Sequence, residues 1–179
     1  MNLRIKLRKN QSTIPTEKLT PEVSFLEILG ENIESLPSFA HMEKCRNILL
    51  VCPELKELST LPHSLEVFKV NGGKIEMPSN LPLLKTLQLK SLGLKSLAPL
   101  ERLPETIETL DLSYNQLGEL PTEIASLKKL VRLNLDGNSL VSLPEFLYKL
   151  PSLNHLSLDG NPLSEETRNE LHQKFGMWF

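Results

Sequence analysis

The amino-acid sequence predicts an α/β solenoid, in which short parallel strands and their return segments repeat along one axis. Three observations predict it: leucine is abundant, leucine keeps a fixed phase, and proline recurs at one point of the period. Of the 179 residues, 39 are leucine and 13 are proline. Because ordinary domains spread their apolar content over more residue types, this bias indicates an internal repeat.

The repeat is clearest in three segments that begin at Ile107, Leu130 and Leu153 and have a period of 23 residues. Each has apolar residues at its first, fourth, sixth and eleventh positions and asparagine at its ninth. Four earlier copies follow the same frame with less regular spacing. The predicted repeats are 23–44, 45–64, 65–83, 84–106, 107–129, 130–152 and 153–163.

Each repeated position has a physical role. Leucines at the first, fourth and sixth positions are expected to form a continuous aliphatic core that no single copy could bury. The ninth-position asparagine stands where the chain leaves the strand, and its amide can satisfy backbone groups of the turn. Proline, as at Pro121 and Pro144, fixes φ in a return segment that is extended or loosely helical. Upstream copies lack the asparagine, so we expect the N-terminal half to be less regular.

Residues 1–22 are predicted to be an N-terminal capping strand and a linker, because Leu3, Ile5 and Leu7 alternate with charged residues. The cations Arg4 and Lys6 of this strand have two interpretations. They could attract nucleic acid or anionic lipid, or they could keep an edge strand from aggregating. No aromatic residues are interleaved with them, which favours the second interpretation and predicts no nucleic-acid partner.

Residues 164–179 are predicted to be a capping helix and a tail. Ser164 is a typical N-cap, Leu171 and Phe175 are spaced as i and i+4, and Gly176 is a stop signal. The apolar tail 177–179 is expected to fold back over the last repeat, and a short docking tail is the alternative.

Several classes of protein are not predicted. No apolar run approaches the roughly 18 residues needed for a membrane span, and no secretory signal is recognisable. We therefore expect cytoplasmic placement, and signal-independent secretion stays open. Cys45 and Cys52 are too few for a disulfide framework or a zinc site. No catalytic motif is present, and Cys52 and His155 would lie five repeats, or about 24 Å, apart. We therefore predict no enzyme activity and no catalytic, metal-binding or cofactor-binding residues.

The segment from Leu130 to Leu140, with its L-x-x-L-x-L-x-x-N-x-L pattern, resembles the leucine-rich repeat superfamily, and the resemblance covers roughly residues 20–163. The stretches 61–65 and 103–112 resemble the L-P-x-x-L form of bacterial members, including secreted effectors. We expect no attached enzymatic domain, because only about 16 residues follow Leu163. The resemblance implies a right-handed solenoid whose curved parallel sheet forms the concave side and binds a protein or peptide.

A binding site is predicted where apolar residues occupy positions that should face the concavity. Five of these positions lie in the first three repeats, and an aromatic residue and an arginine follow as outlying anchors. The predicted site residues are Phe25, Leu29, Leu49, Val51, Val67, Tyr114 and Arg132. The alternative is a register shifted by one residue, which would exchange Leu49 and Val51 with Ile48 and Leu50 between surface and core.

The predicted function is a non-enzymatic interaction module that binds a protein or peptide. Two alternatives stay open: a scaffold that self-associates into a homo-oligomer, and a bacterial effector-like factor that acts on host proteins. The Asp136-Gly137-Asn138 triplet and its copy 23 residues later resemble fragments of calcium loops. We interpret them as strand exits and predict no metal.

Overall fold

A computed structural model describes residues 1–75, 80–96 and 103–176 of the chain. Within these residues, eight strands form one sheet in the order of the chain, and each consecutive pair is parallel. The strands are β1 (Asn2–Lys6), β2 (Phe25–Leu29), β3 (Asn47–Val51), β4 (Val67–Asn71), β5 (Thr86–Lys90), β6 (Thr109–Asp111), β7 (Arg132–Asn134) and β8 (His155–Ser157). This architecture confirms the predicted solenoid with its curved parallel sheet.

The strands differ in length between the two halves of the solenoid. Strands β1 to β5 have five residues each, whereas β6 to β8 have three. In β6 and β7 the last residue turns the chain out of the sheet: Oδ1 of Asp111 accepts from the Ser113 N–H at 3.0 Å, and Oδ1 of Asn134 accepts from the Asp136 N–H at 2.9 Å. Such local hydrogen bonds replace strand pairing by a turn.

The register of β2 and β3 decides which side chains enter the core. Leu26 and Ile28 of β2 lie opposite Ile48 and Leu50 of β3, and all four are at most 1% exposed. Leu49 lies on the opposite face of β3 and is half-buried. Of the two registers that the sequence left open, the structure therefore has the one that follows the frame of the other copies, and the shifted register is wrong.

The asparagine ladder forms as predicted. The Nδ2 group of Asn138 donates to the carbonyl oxygens of Leu112 and Leu135, at 3.0 and 2.8 Å, and its Oδ1 accepts from the Leu117 N–H at 3.1 Å. Asn115 and Asn161 make equivalent bonds. Each amide thus satisfies backbone groups of its own copy and of the preceding copy, which joins neighbouring turns of the solenoid.

The return segments are partly helical. Short 3₁₀ helices span Thr16–Lys18, Thr122–Ser126 and Glu145–Lys149. Pro121 and Pro144 precede the last two, with φ of −71° and −72°, and these helices bury Ile124 and Leu147. The prolines thus set the backbone angle at which each return segment begins.

The C-terminal end carries helix α1 (Glu165–Phe175), as expected. Ser164 Oγ accepts from the Thr167 N–H at 3.2 Å, and Gly176 ends the helix with φ of 66°. Leu171 is buried, but Phe175 remains exposed and its ring centroid lies 5.8 Å from that of Tyr148. Over the described part of the chain, no helix is both long and apolar enough to cross a bilayer. The tail 177–179 lies outside the described residues.

Candidate functional site

The concave face of the sheet carries the side chains that point away from the core. Strands β2 to β4 hold a group on this face that we call the apolar concave patch. The patch consists of Phe25 and Leu29 of β2, Leu49 and Val51 of β3, and Val67 of β4. Leu29 lies directly opposite Val51, whereas Phe25 and Val67 lie on either side of Asn47 in one cross-strand row. The structure therefore brings these five predicted residues onto three adjacent strands.

All five residues of the patch are half-buried. They contrast with Ile48 and Leu50, which alternate with Leu49 along β3 and lie in the core. The patch side chains are thus kept out of the core by the register, and packing against their neighbours covers part of their surface. Apolar surface remains open to solvent on adjacent strands. Its burial against a partner would lower the free energy of the complex.

A partly buried ion pair lies at the edge of the patch. Glu27 is the residue of β2 between Phe25 and Leu29 on the concave face, and it is only 7% exposed. Its carboxylate accepts a hydrogen bond from Nε of Arg4, which is its register partner on β1. Sequence reasoning did not find this pair. The signal that could have found it is that Arg4 and Glu27 both occupy the middle outward position of their strands.

The predicted anchor Tyr114 lies apart from the patch, at the exit of β6. Its side chain is 57% exposed and its backbone is left-handed, with φ of 57°. The ring lies against Gly137, where a Cβ would be 2.8 Å from Cδ1 of Tyr114. The Nζ of Lys90 is 4.7 Å from the ring centroid, a cation–π contact. The ring is therefore held between the exits of neighbouring turns.

The second anchor, Arg132, is exposed on β7, three strands from Val67, which corresponds to about 14 Å. It lines a shallow depression of about 530 Å³ on the concave face. Asp111, Asn134 and His155 line the same depression. The structure thus separates the predicted site into an apolar part over β2 to β4 and a polar part over β6 to β8.

Cys52 and His155, considered above as a catalytic pair, lie far apart along the sheet. Burial raises the pKa of the Cys52 thiol to about 11, so the thiol stays protonated at neutral pH and is a poor nucleophile. Cys52 follows β3 and His155 begins β8, five strands further along the sheet. Among the residues that the structure describes, no group of three or more His, Cys, Asp or Glu side chains could hold a metal ion. In the triplets that resemble calcium loops, the glycines are left-handed strand exits and the asparagines bind backbone groups.

Comparison with known proteins agrees with this geometry. The chain superimposes on a leucine-rich repeat protein of Leptospira interrogans with a TM-score of 0.68 and 27% sequence identity, over 98% of this chain and 53% of the other. A family model described as leucine rich repeat matches residues 105–163. The chain therefore has the fold of leucine-rich repeat proteins, and its residues 105–163 match the family's own pattern.

Two further solved structures resemble this chain. InlP of Listeria monocytogenes has a TM-score of 0.64 and 20% identity, over 88% of this chain and 49% of that one, and shows the fold alone. An internalin-like protein of Listeria monocytogenes has a TM-score of 0.56 and 25% identity, over 79% and 46%. The chain thus spans about half the length of these structures. No curated protein matches its sequence.

Proposed function

We propose that this chain is a non-enzymatic interaction module that binds a protein or peptide on its concave face. The observation that carries the proposal is the apolar concave patch, five half-buried aliphatic and aromatic side chains on three adjacent strands. A parallel sheet of stacked repeats offers a partner a broad surface without any catalytic group. The patch supplies the apolar centre that protein interfaces need.

The proposal is tested by capture of partners from an extract of the source cells on immobilised protein. Leu49→Asp with Val67→Asp places two charges in the patch, so we expect the captured proteins to be lost. Val141→Asp with Leu83→Asp is the matched control, because it makes the same change at two exposed apolar residues outside the strands. Circular dichroism and thermal unfolding check that both variants fold. If the patch variant still captures the same proteins, the proposal is wrong.

Self-association through the same patch is the second function that the apolar surface supports. Light scattering separates the two functions. A monomer favours binding of a different protein. A dimer that dissociates on Leu49→Asp, but not on Val141→Asp, favours the scaffold.

The bacterial origin of the structural neighbours supports a bacterial source for this chain. We further propose two more specific points, which rest on the sequence pattern: an effector-like role on host proteins, or cytoplasmic placement. Fractionation of the source culture, followed by immunoblotting, tests them together. Protein in the cell fraction supports cytoplasmic placement, whereas protein in the medium supports the effector-like role.

A further inference from the structure

The concave face is divided by charge as well as by polarity. On β1 to β5, the cations Arg4, Lys6, Lys69 and Lys90 point to the concave side, and Glu27 is the one carboxylate among the described residues of these strands' concave rows. Over β6 to β8 and their exits the balance reverses, since Asp111, Asp136 and Asp159 accompany Arg132. One half of the face is therefore positive and the other half is negative.

The positive charge lies beside the apolar concave patch. Lys6 is the register partner of Leu29, and Lys69 is the register partner of Leu49. Arg4 is paired with Glu27. Among the residues that the structure describes, neither Lys6 nor Lys69 has an ion-pair partner. Two uncompensated ammonium groups thus flank the apolar side chains, on β1 and on β4.

We propose that the apolar concave patch takes an extended segment of a partner protein in which apolar side chains are flanked by carboxylates. This inference rests on the proposed function and names the chemistry of the partner. The apolar side chains cover Leu29, Leu49 and Val51, and the carboxylates pair with Lys6 and Lys69. Because the contact excludes water, the attraction within each of these ion pairs is stronger than it would be on an open surface.

The spacing of the two lysines sets the length of the segment. Strands β1 and β4 are three strand spacings apart, which is about 14 Å. An extended chain advances about 3.3 Å per residue, so the two carboxylates stand about four to five residues apart. The carboxylates lie over β1 to β4, because Asp111 and Asp136 would repel them at the other end of the face.

The experiment uses two displayed libraries of peptides of about 12 residues, which are long enough to cross all eight strands. Both libraries have random apolar residues at alternate positions. The positions between them carry Asp or Glu in one library and Lys or Arg in the other. The whole chain is the bait, and the affinities of selected peptides are then measured in solution.

We expect binders from the acidic library, with an affinity at least about ten-fold above the matching basic peptides, and weaker binding near 1 M salt, where the Debye length is about 3 Å. Lys6→Glu with Lys69→Glu should reverse the preference. Lys128→Glu with Lys129→Glu is the control, because it changes the net charge equally at two exposed lysines outside the strands and should change nothing.

The outcomes separate this inference from the proposed function. Binders that need Leu49 and Val67 but do not distinguish acidic from basic peptides would overturn the inference alone. Binders that survive Leu49→Asp with Val67→Asp would overturn both. Selection from the basic library, or from neither library, would also overturn the inference, as would a wild-type dimer held by the patch.

Discussion

The guanidinium of Arg4 donates a hydrogen bond to the buried carboxylate of Glu27 across the first two strands of the sheet. The side chain of Arg4 is 71% exposed and that of Glu27 is 9% exposed, so the arginine covers the carboxylate from the solvent side. The pair joins the N-terminal strand to the first repeat at the edge of the apolar concave patch.

Loss of Arg4 should therefore destabilise the chain. Arg4→Ala leaves a buried carboxylate without its cation, and we expect the free energy of unfolding to fall by about 1–2 kcal/mol, less than for a fully buried pair. Adding Glu27→Leu should recover most of the loss, because no buried charge remains. Urea unfolding measures both changes. The control is Lys56→Ala, which breaks the exposed pair with Glu34 and should change the free energy of unfolding little. If Arg4→Ala changes it no more than Lys56→Ala does, the role of the cation is contradicted.

The asparagine ladder should be a main source of cohesion between the C-terminal repeats. Asn138→Ala leaves two carbonyls and one N–H of the backbone without their buried partner, and we expect a loss of about 2–4 kcal/mol in urea unfolding. Ser139→Ala, at the exposed neighbouring position, is the control and should cost less than about 0.5 kcal/mol. Equal costs for the two variants would contradict the role of the ladder.

The contact between Tyr114 and Gly137 predicts a difference between two similar glycines. Gly137 and Gly160 are both left-handed, with φ of 62° and 72°, so alanine is strained at either position. A Cβ at Gly137 would also meet the Tyr114 ring at 2.8 Å, whereas a Cβ at Gly160 would lie 3.5 Å from its nearest neighbour. We expect Gly137→Ala to lower the thermal unfolding midpoint more than Gly160→Ala does.

A double-mutant cycle identifies the cause of that difference. In a Tyr114→Ala chain, Gly137→Ala should cost only as much as Gly160→Ala does, because the ring is gone. An excess cost that persists without the ring would show that Tyr114 is not responsible.

The buried thiol of Cys52 predicts a loss of stability at high pH. Burial raises its pKa to about 11, whereas an unfolded cysteine has a pKa of about 8.5. The stability that the neutral thiol contributes is therefore fully present below about pH 8.5 and is lost as the pH rises towards about 11. We expect the urea midpoint to fall over this window, and to fall less in Cys52→Ala. Identical pH profiles for the two chains would contradict the prediction.

The parts of the fold that depend on one repeated rule could be predicted from the sequence. The phase of the leucines in the later copies favoured Ile48 and Leu50 in the core and Leu49 on the concave face, although the continuous apolar run in this strand left a shift by one residue open. The ninth-position asparagines indicated their backbone bonds. These features recur in copy after copy, so each copy supports the interpretation of the others.

Features that depend on a single pair of copies could not be predicted in the same way. The Arg4–Glu27 pair requires that two strands 23 residues apart place their middle outward residues side by side. Tyr114 occupies a left-handed exit where Gly137 and Gly160 stand in later copies, so its ring direction follows from packing and not from the pattern. Phe175 has the spacing of a core residue but stays exposed beside Tyr148.

The most direct test of the proposed function is photo-crosslinking at single positions in the source cells. A benzophenone amino acid replaces Val67 in the apolar concave patch or, in a separate chain, the exposed Val141 outside the strands. If the concave face binds a partner, irradiation gives a crosslinked protein adduct from position 67 and none from position 141. Adducts from position 141 but none from position 67 would contradict binding at the patch.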